Sequence, residues 1–172
     1  MHNAKYENAI LLLSQRVTNV GRVKLNKLLY FADFDHFEKY GTPITGDTYV
    51  NNNLGPVPML VLEVLARMEH EKKVKVVQEQ VFDYVRYSLQ PLVPADVSVF
   101  GPTEMEILCY TVEKWGPHTA KELVIASHGE APWIATRKGE KIPYPLAYYR
   151  GKYDDSEPEL DTERLQPVLS VW

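Results

Sequence analysis

Apolar positions fall into two periods along this chain, and the change between them marks out the elements. Tyr6, Ala9, Ile10, Leu13 and Val17 recur at helical spacing and predict a first helix over about residues 3–18. After a short break at Asn19–Gly21, a second helix is expected from about Arg22 to Tyr40, stopping at Gly41, since glycine tolerates the left-handed conformation that closes helices. It is apolar on two sides. Leu25, Leu28, Leu29 and Ala32 line one face, and Tyr30, Phe34 and Phe37 the other, as expected of a central helix. His36 points out through the leucine face. A third helix is expected to open in the Leu54–Pro58 stretch and run to about Glu71, with Val57, Leu60, Val61, Val64, Leu65 and Met68 inward.

Over residues 74–90 the period drops to two, with Val85, Tyr87 and Leu89 on one side. This predicts an antiparallel hairpin turning near Glu79–Phe82, to which Thr48–Val50 could add a third strand. Thr103 with Glu106 reads as a capping box for a fourth helix, whose stripe is Met105, Leu108, Cys109 and Val112. Thr119 with Glu122 caps a fifth helix reaching about Ser127, and residues 141–149 open a last short one. The expected fold is α+β: a mainly helical single domain of about six helices, with a small antiparallel sheet of two or three strands. The domain covers residues 1–150, and an acidic extension, 151–172, packs on it or follows it.

Composition narrows the chemistry. The 172 residues carry 45% apolar side chains and a net charge of −4, which fits a globular chain and disfavours nucleic acid as partner. The acid is concentrated at 151–165, where Asp154, Asp155, Glu157, Glu159, Asp161 and Glu163 face only Lys152 and Arg164. That segment is either a solvated surface or a contact for a basic partner. No apolar run approaches a membrane span, and the N-terminus has no signal-peptide pattern. Cys109 is the single cysteine, so an internal disulfide is impossible and a cytoplasmic setting is expected.

No metal or cofactor is expected: no two of the five histidines share helical i, i+4 spacing, and neither a Cys-x-x-Cys pair nor a glycine-rich phosphate loop occurs. Cys109, on an expected apolar stripe, reads as a small hydrophobe. Asp33 and His36, three residues apart on one helix, could form a carboxylate–imidazole pair. The favoured alternative is a core histidine with a hydrogen-bond partner. The fourth and fifth helices have the outline of a helix-turn-helix, so a DNA-binding regulator is the alternative function. The would-be reading helix, however, offers Lys121 as its only base, beside Glu122.

An ordered set of landmarks remains. Lys24-Leu25-x-Lys27-Leu28-Leu29-Tyr30-x-Ala32 is followed by His36 and Gly41, then by Gly55-Pro56-Val57, Ser127-His128, Pro132-Trp133, and Ile142-Pro143 before Tyr148-Tyr149. In these residues the chain resembles the Panacea domain, the SocA-like antitoxin domain once described as phage-associated, over about residues 5–150. The resemblance implies a non-enzymatic antitoxin that neutralises a cognate protein toxin, encoded by a neighbouring gene, through direct binding. It assigns Lys24, Leu28, Tyr30, His36, Gly55, Pro56, His128 and Trp133 to the family framework. Tyr49, Phe82 and Tyr84, on short elements expected to be exposed, and Asp154, Asp155 and Glu157 are candidates for the partner surface. The aromatics could equally pack on the domain's own helices. Self-association stays open.

Overall fold

The computed structural model describes residues 3–151. Asp154, Asp155 and Glu157, with the rest of the acidic extension, lie outside the described residues.

Helix α1 (Ala4–Arg16) starts where the Asn3 side chain accepts the Tyr6 N–H. Helix α2 (Arg22–Tyr40) ends at Gly41, whose φ of +77° reverses the chain and sends its N–H back to the Phe37 carbonyl. As its two apolar faces predict, α2 is the axis of the molecule. Leu25, Leu28, Leu29, Tyr30, Phe31 and Phe34 are wholly buried, and α1, α4 (Pro102–Trp115), α5 (Ala120–His128) and a 3-10 segment (Tyr144–Tyr149) all pack on it. Helix α3 (Val61–His70) leans on α1, and α6 (Ala131–Ile134) follows α5.

The strands form two separate antiparallel sheets. One has β1 (Tyr49–Asn52) at its centre, between β2 (Gly55–Pro58) and β5 (Lys141–Ile142), with Tyr49 opposite both Pro58 and Ile142. The other is the hairpin of β3 (Val74–Val81) and β4 (Tyr84–Pro91). The architecture is thus α+β and helix-rich, as expected. The hairpin is tied to the body where Leu89 N–H reaches the Val20 carbonyl at 2.8 Å. Gly21 makes that approach possible, because a Cβ there would sit 2.8 Å from the Tyr87 carbonyl oxygen.

Several expectations need correction. Residues 55–58 are a strand and not the first turn of α3. A residue that precedes proline is pushed out of the helical region, and Gly55 and Val57 both do, so the Pro56–Pro58 alternation holds this stretch extended. An edge strand tolerates the missing N–H groups. Leu60 then falls ahead of the helix and is exposed. Thr48–Val50 does not join the hairpin, which turns later than expected, at Phe82–Asp83. Helix α4 is capped two residues earlier than the Thr103–Glu106 pair suggested. Pro102 takes the first turn, and Glu104 accepts the Gly101 N–H at 2.8 Å. Ile107, Leu108 and Thr111 face the core, and Cys109, expected on the apolar stripe, is exposed. The Thr119–Glu122 box on α5 is present as expected. At 141–149 a two-residue strand precedes the 3-10 turns, since Pro143 and Pro145 leave no run for an α-helix.

Candidate functional site

Several of the landmarks scattered through the sequence, Lys27, Gly55-Pro56, Ser127-His128 and Trp133, meet beside the first turns of α2. Lys24 and Lys27 lie one turn apart and both turn inward. Lys24 donates to the Gly116 carbonyl at 2.9 Å, fastening α2 to the end of α4, and burial lowers its pKa. Lys27 has 0% exposure and donates to the Pro56 carbonyl at 2.7 Å, which fastens α2 to β2. Burial holds its ammonium down to a pKa of about 7. Gly55 has a φ of +89°, and a Cβ there would stand 3.0 Å from Lys27 Cε and run into Ser127 Oγ, so the position calls for glycine on both counts.

From α5, Ser127 is buried and donates to the Val124 carbonyl at 2.9 Å. The His128 ring stacks on Trp133, with centroids 3.9 Å apart and planes 13° from parallel. Burial first, then the Lys27 charge, lowers the His128 pKa to about 4, so the ring is neutral at neutral pH. Its Nε2 has no hydrogen-bond partner among the described residues. Trp133 Nε1 donates to the Asn52 carbonyl at 3.1 Å, and Asn51 Nδ2 returns a bond to the Trp133 carbonyl at 2.9 Å. The β1–β2 turn is thus clasped between α2 on one side and α5–α6 on the other. One helical turn along, the Tyr30 hydroxyl donates to Glu130 at 2.6 Å, and Arg150 bridges Glu130 and Asp35 at 3.0 and 2.7 Å.

His36 stands elsewhere. With 3% exposure, it contacts the Thr42 carbonyl through Nδ1 and the Thr103 hydroxyl at 3.1 Å through Nε2, so it ties the segment after Gly41 to α4. It does not pair with Asp33. That carboxylate accepts the Ile44 and Thr45 N–H groups at 2.8 and 2.7 Å and the Thr45 and Tyr49 hydroxyls. An Asp33–His36 catalytic couple open to water is therefore absent. Leu28 is a core residue.

The candidates for a partner surface separate. Tyr49, expected to be exposed, is 1% exposed, with its hydroxyl committed to Asp33 and its ring against Phe34. Phe82 is 93% exposed at the hairpin tip; Tyr84, Val85 and Tyr87 are open to solvent beside it. Helix α5 lays Leu123 and Val124 into the core, and Lys121 is exposed. Among the described residues no cluster of histidine, cysteine and carboxylate side chains could hold a metal ion, and no helix is long and apolar enough to cross a membrane.

Sequence reasoning missed Asn51, Glu130 and Arg150, which hold the clasp by contacts reaching 80 to 100 residues away or by closing on α2 from the end of the described chain. Lys27 carried a usable signal, a cation in a helix with two apolar faces.

These features define a small helix-rich domain in which distant motifs pack into one buried polar clasp. The chain belongs to the SocA-like antitoxin family: the family model described as "Antitoxin SocA-like, Panacea domain" matches residues 25–134, more than half of the chain. The matched span runs from Leu25 on α2 to Ile134 on α6 and so takes in most of the clasp. No curated protein and no solved structure matches the chain. Membership in an antitoxin family implies a toxin, in general terms, as the partner.

Proposed function

We propose that this protein is a cytoplasmic antitoxin that neutralises one cognate protein toxin by direct contact and without catalysis. The family match over residues 25–134 carries the reading. The buried clasp fits it, because side chains that cross-link elements serve a rigid scaffold, and a scaffold presenting a fixed surface is what tight protein recognition needs.

The contact surface is the outer half of the β3–β4 hairpin. A Phe at 93% exposure is costly to leave in water unless something covers it. Val81 pairs with Tyr84 and Gln78 with Tyr87, so the tip displays large apolar groups on both faces. Aromatic side chains of this kind dominate binding energy when a partner buries them. Asp154, Asp155 and Glu157 raise the encounter rate with a basic toxin, an effect that added salt removes. Tyr49 is no part of this surface.

Coexpression tests the reading. The chain and the product of its adjacent gene are placed under separate inducible promoters in a bacterial host. Growth arrest by the neighbour alone, relieved when both are made, is expected. A harmless neighbour, or arrest that persists with this chain present, contradicts it.

A further inference from the structure

Beside the clasp lies a cleft of about 180 Å³, lined by Arg22, Val23, Asn26 and Lys27 of α2 and by Asn52, Leu54 and Val57 of the β1–β2 unit. That volume is well below the roughly 300 Å³ at which cofactor-sized pockets begin, so the occupant is about one amino-acid residue in size.

Its lining has three chemical parts. The first is a set of donors: Lys27 is buried, its nitrogen gives one N–H to the Pro56 carbonyl and keeps others to give, and a carboxylate beside it would favour its charged form. Arg22 adds a second cation at the exposed rim. The first turn of α2 holds no acidic residue, and its N-cap, Gly21, supplies no side chain, so the helix end adds to the positive field. The second part is an unmet acceptor: Asn26 is 6% exposed, and its Oδ1 has no hydrogen-bond partner among the described residues. A buried carbonyl oxygen is costly to leave unpaired, so such an atom marks where a donor belongs. The third part is apolar: Val23, Leu54 and Val57 wall the remaining space.

We propose that this cleft binds the carboxyl end of an acylated amino acid. Arg22 and Lys27 hold the carboxylate, Asn26 Oδ1 accepts the residue's own amide N–H, and Val23, Leu54 and Val57 enclose an apolar side chain. A bare inorganic anion satisfies the cations but leaves Asn26 and the apolar walls unused, and a cationic ligand meets like charge. Two sources share the required chemistry: the C-terminal residue of a polypeptide, and a free N-acylated amino acid. The site is independent of the antitoxin reading, which concerns the hairpin.

Titrations of the full chain, followed by NMR at the Asn26 side-chain amide and the Arg22, Asn52 and Val57 backbone amides, test the site. The probes are N-acetyl-leucine, N-acetyl-leucinamide, inorganic phosphate and the acetylated tripeptide Ala-Ala-Leu. N-acetyl-leucine should give saturable shifts at these positions, and the amide should bind at least ~10-fold more weakly because it lacks the charge that Arg22 and Lys27 compensate. Arg22→Gln, at an exposed position that leaves folding intact, should weaken the acid ~10-fold and leave the amide unchanged. Asn26→Leu should weaken both. A tripeptide that binds tighter than N-acetyl-leucine assigns the site to polypeptide ends; equal binding assigns it to small acylated amino acids. Shifts that grow linearly without saturation, equal binding of acid and amide, phosphate binding as tight as the acid, or an Arg22→Gln chain that binds unchanged would each overturn the proposal.

Discussion

The Tyr49 hydroxyl donates a 2.7 Å hydrogen bond to the Asp33 carboxylate, and neither residue touches solvent. The pair joins the sheet's central strand to the central helix. Asp33 also holds Ile44 and Thr45, so one carboxylate organises the middle of the connection from α2 to β1. Burial by itself pushes the Asp33 pKa up, and the four donors pull the other way. Asp33→Ala leaves those donors unpaired and should cost about 3–5 kcal/mol in urea unfolding. Tyr49→Phe removes one donor and should cost about 1–2 kcal/mol. Neither change should alter partner affinity once the chain is folded, because Tyr49 is not at the surface.

Lys27 gives a pH signature. Its pKa of about 7 in the folded chain lies well below the ordinary lysine value, so between about pH 7 and pH 10 the unfolded chain binds more protons than the folded one. Stability from this group therefore rises with pH through that window, by up to roughly 1.4 kcal/mol per unit, and flattens below pH 7. Lys27→Met should remove that slope. Unfolding midpoints of both proteins at pH 7.0, 8.0 and 9.0 check it, and parallel pH dependence would refute it. The measurements stop at pH 9.0, below the ordinary tyrosine value of about 10, above which the buried tyrosines, whose pKa values are pushed up, oppose the trend.

His36 should act as a tie and not as a base. His36→Phe keeps the ring volume but loses the bonds to Thr42 and Thr103. The expected cost is about 1–3 kcal/mol, with amide exchange over residues 42–47 faster than in the parent chain. Unchanged exchange there would show that the tie contributes nothing.

The hairpin tip should separate binding from folding. Phe82→Ser and Tyr84→Ser remove exposed side chains, so each should change stability by no more than about 0.5 kcal/mol. Each should weaken toxin binding by ~10-fold or more, read by calorimetry on the purified pair. Loss of stability without loss of affinity would move the contact surface elsewhere.

Much of the helical frame was legible in the sequence, because period and punctuation agreed. Two apolar faces and Gly41 marked α2, and Thr119 with Glu122 marked the start of α5. Where two local signals competed, the sequence misled. Thr103–Glu106 and Gly101–Glu104 both have the spacing of a capping box, and Pro102 in the first turn decides for the earlier start. Around Pro56 and Pro58, proline could open a helix or hold a strand, and pairing with β1 decides. The fate of Tyr49 was out of local reach, since its burial depends on Asp33, 16 positions earlier on another element. The clasp was visible as motif residues but not as a place. Nothing between Gly55 and Ser127 announces that they touch, and only the fold brings Lys27 beside them.

The central claim, neutralisation by direct contact, is tested most directly by copurification of this chain with the adjacent gene's product, both expressed from unrelated promoters so that control at their own operator plays no part. A complex of fixed stoichiometry, carrying full-length toxin that regains activity when the chain is stripped away, is the predicted result. Relief of toxicity without any complex on size-exclusion chromatography would contradict the account.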